Sequence, residues 1–235
     1  MAEISGSLAA AAVMIGFVHT VAGPDHYLPF VTMSRAGRWS LTRTIVITLI
    51  CGVGHILGSV ILGFVGIGLG LGLDLIKTIE QTRGQFAGWL LIGFGLMYLV
   101  WGTRRAVRGR SHAHIHAHED GTIHCHEHTH SGDHAHVHKT ESPSLTPWAL
   151  FIIFVLGPCE ALIPLLMFPA FQGGFADVLW VVLLFGVTTL ATMTTIVAAA
   201  CVGLRSIRFS FLERYQHALA GGIVLVCGLA IMFGL

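Results

Sequence analysis

Charged side chains are scarce in this chain. Of its 235 residues, 11% are Asp, Glu, Lys or Arg, whereas 54% are hydrophobic. A soluble globular protein carries roughly 25% charged residues, because its whole surface faces water. The composition therefore excludes an ordinary water-soluble domain and predicts a membrane protein.

Other absences exclude further classes of protein. The formal net charge is only +1, so a basic surface that binds nucleic acid is not expected. The sequence has no Gly-rich phosphate loop ending in Gly-Lys-Ser or Gly-Lys-Thr, which argues against ATP hydrolysis by this chain. The five cysteines are scattered, which disfavours a disulfide-stapled secreted fold. The first apolar run lacks the preceding basic region of a signal peptide and is interpreted as a retained span. We expect no enzymatic activity and no resident cofactor.

Long apolar runs, in contrast, are abundant. A transmembrane helix needs about 20 mostly apolar residues. Six stretches qualify: 5–30, 44–70, 85–102, 147–170, 177–203 and 216–235. The first and fourth are interrupted at Gly23-Pro24 and Gly157-Pro158. The expected fold is an all-α membrane protein of six transmembrane helices, with helices 1 and 4 broken at Gly-Pro. The mixed stretch 71–83 predicts a short interfacial helix.

The placement of Lys and Arg predicts the orientation. Eleven of these residues fall on one side of the predicted spans, and only Lys77 and Arg83 fall on the other. Because cytoplasmic loops collect positive charge, we expect the segment 103–146 in the cytoplasm and both termini outside. The expected location is the cell inner membrane.

The two halves of the sequence resemble each other. Gly23-Pro24 matches Gly157-Pro158 at an offset of 134 residues, and Gly52-Val53 matches Gly186-Val187 at the same offset. Halves of three spans each have opposite orientations, as in the inverted repeats of secondary transporters. We therefore divide the chain into a first three-helix repeat (1–102), a cytoplasmic His-rich loop (103–146) and a second three-helix repeat (147–235). The alternative is that Gly-rich membrane helices resemble each other by composition alone.

The first Gly-Pro break lies among side chains that can bind metal. Pro24 lacks a backbone N–H and Gly23 tolerates unusual dihedral angles, so the helix should unwind there. His19, Asp25 and His26 flank the break. Ionisable groups inside a membrane are costly and therefore indicate function. Alternatively, Asp25 and His26 cap the broken helix or pair with Arg35.

His55 stands alone in the second span, between Gly54 and Gly58. This glycine spacing also favours close helix packing, and a lone histidine can simply bond a neighbouring helix. Since close packing would let the first span approach, we interpret His55 as a further metal ligand.

The second half offers Cys159 and Glu160 after its own Gly-Pro pair. A thiolate and a carboxylate would suit a metal or a proton relay. Thr189 aligns with His55 and either lines a polar path or bonds a neighbouring helix. His217, at the start of the last span, is interpreted as interfacial and solvated rather than as a ligand.

Histidine is the residue in surplus, with fifteen in total, eleven of them within 112–138. Most of them alternate with another residue. The candidate metal-capturing residues of this loop are His112, His114, His116, His118, His124, Cys125, His126, His128, His130, His134, His136 and His138. Neutral imidazoles favour Ni²⁺, Co²⁺, Zn²⁺ and Cu²⁺, and a flexible chain can supply several without a preformed geometry.

The segment from His19 to His26 resembles nickel/cobalt permeases, especially the six-span nickel permeases associated with hydrogenases and ureases. Their signature is H-P-x-x-G-x-D-H, in which only Thr20 departs from the pattern. Gly54-His55 is similar to their second motif, and the His-rich loop resembles that of nickel/cobalt exporters. The resemblance implies Ni²⁺ or Co²⁺ as cargo and these ligands: His19, Asp25, His26 and His55.

The sequence thus predicts a secondary transporter of a divalent transition metal. Ni²⁺ or Co²⁺ is the first expectation for the cargo, followed by Zn²⁺ or Cu²⁺. Transport is expected to be coupled to protons, and its direction, import or export, is left open. Cys159 and Glu160 would contribute to the site from the opposite half. The expected partners are the lipid bilayer, the ion, and a metallochaperone or a second copy of the chain. Three alternatives stay open: a membrane thiol redox protein, a metal sensor or buffer that transports nothing, and an exporter of another small solute.

Overall fold

The computed structural model of the protein describes residues 2–108, 112–117, 123–128, 145–171, 174–205 and 210–234. Within these ranges the helices are α1 (Ala2–Ala22), α2 (Leu28–Ala36), α3 (Leu41–Gly68), α4 (Leu73–Arg108), α5 (Leu145–Leu156), α6 (Leu162–Phe171), α7 (Phe175–Arg205) and α8 (Ser210–Met232). A single 3-10 turn, Pro24–His26, separates α1 from α2, and the strands are β1 (His112–Ala117) and β2 (Ile123–His128).

The helices have the length and composition of membrane spans. In the described residues, four stretches qualify by themselves, namely Leu41–Gly68, Leu73–Arg108, Phe175–Leu204 and Glu213–Met232. A fifth arises if the pair Gly6–Ala22 and Pro24–Ala36, bent by 82°, counts as one broken span. Large apolar side chains such as Met14, Trp89 and Val226 are exposed on the bundle. The predicted helical membrane protein is therefore confirmed in its broad character.

Both predicted breaks are present. α1 ends at Ala22, just before Gly23-Pro24, and α5 ends at Leu156, just before Gly157-Pro158. The predicted fourth span, 147–170, consists of two short helices of 12 and 10 residues, α5 and α6.

The predicted interfacial helix over 71–83 is wrong. Residues from Leu73 onward form the first turns of the 36-residue α4 and continue without interruption into the next predicted span. Ile76 and Glu80 are fully buried within these turns. The helix can enter the interior because the charge of Glu80 is matched by Arg83, whose nitrogen Nη1 lies 3.0 Å from Glu80 Oε2.

The His-rich segment adds a departure from the expected all-α fold. β1 and β2 pair in an antiparallel hairpin in which His112, His114 and His116 lie opposite His128, His126 and His124. Alternation of two residue types is the period of a β-strand, which explains why this sequence forms one. Of the predicted loop residues, His118, His130, His134, His136 and His138 lie outside the described residues.

Glycine contacts bring the long helices together. α4 packs along α8, and a Cβ added at Gly95 would lie 2.5 Å from the backbone nitrogen of Leu225. A Cβ at Gly228 would lie 2.8 Å from the nitrogen of Ile92. α1 packs against α7, and α5 packs against α3. The two broken segments thus pack against the long helices α3 and α7.

Candidate metal centre

The break in the first helix brings its two histidines together. In an unbroken helix, His19 and His26 would be separated by about 10 Å along the axis, at 1.5 Å per residue. In the structure the N–H of Gly23 closes the last turn of α1 onto the His19 carbonyl at 3.0 Å, and the chain then bends through Pro24–His26. The ring centroids of His19 and His26 consequently lie 4.7 Å apart.

The third histidine comes from α3. The ring centroid of His55 lies 5.2 Å from that of His26. One ligand nitrogen from each of His19, His26 and His55 lies within 4.8 Å of the others. Two nitrogens bound to one ion at about 2.1 Å each can lie no more than about 4.2 Å apart. Three nitrogens placed evenly around that ion lie closer, about 3.4–3.6 Å apart. Starting from at most 4.8 Å, the three nitrogens therefore need to close by up to about 1.2–1.4 Å to share an ion.

Hydrogen bonds determine which ring nitrogens are free to bind. The Nδ1 atom of His55 lies 3.3 Å from the Phe154 carbonyl oxygen, and the Nδ1 atom of His26 lies 3.1 Å from the Gly23 carbonyl oxygen. A carbonyl can only accept a hydrogen bond, so Nδ1 is the donor in both rings and Nε2 of the neutral ring carries the lone pair. Both Nε2 atoms are buried without a hydrogen-bond partner. They are oriented as metal ligands are, with the second ring nitrogen held by the protein.

Asp25 supports this arrangement from the side. Its Oδ1 atom lies 3.2 Å from His26 Nδ1, and its side chain is 25% exposed against 5% for His26. A carboxylate against the outer nitrogen of a ligand imidazole fixes the ring and raises its basicity. The structure thus places Asp25 against His26 and outside the cluster of three imidazoles.

The two residues predicted in the second half, Cys159 and Glu160, lie in different surroundings. Cys159 is fully buried, and its Sγ atom lies 3.8 Å from His19 Nε2, so the second break contributes a thiol next to the three histidines. Glu160 is exposed and lines the approach to them.

That approach is a cleft of about 660 Å³. Its polar lining consists of His19, Asp25, His26, Gln81, Gln85 and Glu160. It also touches Met232, the last residue of α8, so it opens at the end of the bundle where α4 begins. The His-rich segment follows Arg108 at the other end of α4. His55 does not line the cleft; its ring centroid lies 5.2 Å from that of His26, which does.

The remaining candidates lie elsewhere. Thr189 is 1% exposed, and its Oγ1 atom has no hydrogen-bond partner and faces Gly16 of α1. The Nδ1 atom of His217 lies 2.9 Å from the Tyr98 hydroxyl oxygen, and the ring packs against Trp101. The interpretation of His217 as a residue outside the ligand set stays a prediction.

Sequence reasoning missed a polar group beside Cys159. Ser59, Glu80 and Arg83 bond one another and the backbone of the second break. The available signal was a pair of opposite charges three residues apart, which face the same side of a helix.

Comparisons of the chain with protein-family models, with curated proteins and with solved structures found no match.

Proposed function

We propose that this chain is a secondary transporter that moves a divalent transition metal ion across the membrane. The observation that carries the proposal is the pair of buried, unpartnered Nε2 atoms of His26 and His55, next to His19 and at the base of a cleft. A buried polar atom without a partner costs about 1–3 kcal/mol. An ion bound there would offset that cost.

The ligand chemistry favours a borderline metal. Imidazole suits Ni²⁺, Co²⁺, Zn²⁺ and Cu²⁺, whereas Mg²⁺ and Ca²⁺ prefer oxygen ligands. Ni²⁺ and Co²⁺ stand first because of the resemblance of the His19–His26 segment to nickel/cobalt permeases. His19, His26 and His55 would bind the ion, with Asp25 behind His26 and Cys159 next to His19.

The proposed architecture is six spans arranged as two inverted repeats, with α1–α2 and α5–α6 as broken spans. Helix boundaries support it. α1 and α5 end 134 residues apart, at Ala22 and Leu156, and α3 and α7 begin 134 residues apart, at Leu41 and Phe175. Contacts support it as well, because α1 packs on α7 as its counterpart α5 packs on α3. In this class of protein, broken helices from both halves meet at the substrate site.

The transport cycle follows from this arrangement. The cleft gives the ion a route to His19 and His26 from one end of the bundle. Rocking of the two repeats would close this route and open one at the other end. Protons released or taken up by the histidines and Asp25 would couple the movement to a proton gradient. The asymmetry of Lys and Arg favours an inner-membrane protein with the cleft outside and the His-rich segment in the cytoplasm.

A flux assay with purified protein in vesicles tests the proposal. Vesicles containing an indicator are challenged with Ni²⁺, Co²⁺, Zn²⁺ and Cu²⁺ under a pH gradient of either sense. We expect flux of at least one of these ions. His26→Ala and His55→Ala should each lower that flux at least about 10-fold, because each removes a ligand.

His217→Ala provides the matched control, because His217 is a histidine of the same bundle that bonds Tyr98. Its flux should stay near that of the unaltered chain. Wild-type flux in both the His26 and the His55 variants, with normal membrane insertion, would rule out this site.

A further inference from the structure

The second helix break is held by side chains from two other helices. We name the group formed by Ser59 of α3 with Glu80 and Arg83 of α4 the Glu80 clamp. Glu80 is 0% exposed, and its side chain forms an ion pair with Arg83. A buried ion pair is favourable only when further hydrogen bonds satisfy its remaining polar atoms. Among the described residues, Glu80 Oε2 has only its ion-pair contact with Arg83 Nη1, whereas Glu80 Oε1 and the nitrogens Nε and Nη2 of Arg83 form further hydrogen bonds. The partners in those bonds identify what the clamp holds.

Most of those partners are backbone atoms of the break. Arg83 donates from Nη2 to the Gly157 carbonyl oxygen at 2.7 Å and from Nε to the Leu156 carbonyl oxygen at 3.3 Å. Glu80 Oε1 accepts from the N–H of Cys159 at 3.0 Å. Helix termini leave carbonyl and N–H groups without partners. The guanidinium of Arg83 therefore bonds the carbonyls at the end of α5, and the carboxylate of Glu80 bonds the N–H of Cys159 that follows them.

Ser59 connects the pair to α3. Its hydroxyl accepts from Arg83 Nη2 at 2.7 Å and donates to Glu80 Oε1. Two glycines allow this approach. A Cβ at Gly84 would lie 2.7 Å from Pro158 Cγ, and one at Gly58 would lie 2.8 Å from the Val155 carbonyl oxygen.

The first break is held differently. Its carbonyls and N–H groups are bonded within the segment itself, from the Gly23 N–H to the His19 carbonyl and from His26 Nδ1 to the Gly23 carbonyl. The two breaks therefore differ in a way that their matching Gly-Pro pairs do not indicate. The first is bonded internally around the histidines. The second has internal bonds as well, such as that from the Gly157 N–H to the Phe154 carbonyl at 3.0 Å, but it is in addition fixed from outside by charged side chains.

We propose that the Glu80 clamp is a positioning element that fixes the second break, so that the Cys159 thiol stays buried next to His19 while the first break adjusts to the ion. A role for the Cys159 thiol in metal transport rests on the function proposed above. The positioning of the second break by the Glu80 clamp does not rest on it, because that positioning is a property of the chain without metal. Glu80 and Arg83 act through the backbone of residues 156–159 and do not touch the ion.

Thiol labelling tests the clamp directly. The full-length chain with Cys159 as its single cysteine is treated with a maleimide, without metal, and the labelling rate is measured. Glu80→Gln and Arg83→Gln each remove one charge, so we expect the rate at Cys159 to rise at least about fivefold as the break opens locally. Arg83→Lys keeps the charge but loses the forked geometry, so its rate should lie between that of the chain with Arg83 intact and that of the Arg83→Gln variant.

The double variant Glu80→Gln with Arg83→Gln leaves no unpaired buried charge and serves if a single variant fails to fold. The matched control is a chain whose single cysteine is Cys227, which is 2% exposed in α8. An unchanged labelling rate at Cys159 in these variants would overturn the inference. An equal rise in the labelling rate at Cys227 would also overturn it, because it would indicate that the whole bundle has loosened. Labelling as expected in a chain that moves no metal would contradict the transport function and leave the clamp standing.

Discussion

At the scale of single residues, the two nitrogens of His26 have separate roles. Nδ1 is held by the Gly23 carbonyl and Asp25, and this leaves Nε2 for the ion. The carboxylate both orients the ring and partly balances the charge of a bound cation. Asp25 is therefore expected to matter even though its oxygen atoms lie outside the cluster of three imidazoles.

Asp25→Asn tests this role. The amide keeps the shape of the side chain but removes its negative charge, so metal affinity should fall about 10- to 100-fold, the usual effect of losing a group behind a ligand histidine. Calorimetric titration of the purified protein with Ni²⁺ or Co²⁺ measures the affinity. Asp74→Asn, which changes an exposed carboxylate in the first turn of α4, is the control. Equal affinities in the two variants would contradict the role of Asp25.

The sequence predicted His19, Asp25 and His26 as a group because they are near neighbours around a visible helix breaker. It could not predict the role of Glu80. The side chain of Glu80 binds the backbone of Cys159, 79 residues later in the chain. Only the folded protein shows that this carboxylate faces a helix break instead of water.

At the scale of helices, small residues set the distance between α4 and α8. Lipid tails are as apolar as the side chains of the spans, so helix association in a membrane depends on close packing. Gly95 lies directly against the backbone of α8, whereas Gly93, two residues earlier on the same helix, has no atom within 4 Å of an added Cβ.

This contrast predicts opposite effects of the same substitution. Gly93→Ala should raise the stability of the protein slightly, because alanine favours a helix by about 1 kcal/mol relative to glycine. Gly95→Ala should lower it, because its methyl group would lie 2.5 Å from the Leu225 nitrogen and push α8 away. Thermal unfolding in detergent compares the two variants. A stability gain at both positions would contradict the close packing of these helices.

Helix breaks were predictable where their cause is local, as at both Gly-Pro pairs. The extent of α4 was not. Asp74, Lys77 and Glu80 among apolar residues are typical of a helix on the membrane surface, yet this segment is continuous with the span. The decisive interactions are the contacts of Ile76 with α6 and of Glu80 with the second break, which no pattern within 71–83 reveals.

At the scale of the whole molecule, the cleft that leads to the candidate metal centre and the His-rich segment lie toward opposite ends of α4. The cleft opens where α4 begins, and the His-rich segment follows where it ends. The 36 residues of α4 correspond to about 54 Å at 1.5 Å per residue. We therefore expect the His-rich segment to act separately from the three histidines at the base of the cleft.

Deletion of residues 112–138 is expected to leave metal movement intact at saturating metal. If the His-rich segment concentrates the ion on its own side of the membrane, the deletion should raise the half-saturating concentration for metal presented from that side by a few-fold, and leave it unchanged for metal presented to the cleft. Flux in vesicles with a sorted orientation measures both. Replacement of 112–138 by a Gly/Ser linker of equal length controls for chain connectivity, since such a linker stays flexible and binds no metal. Complete loss of flux in a correctly inserted deletion would show that the segment belongs to the path of the ion.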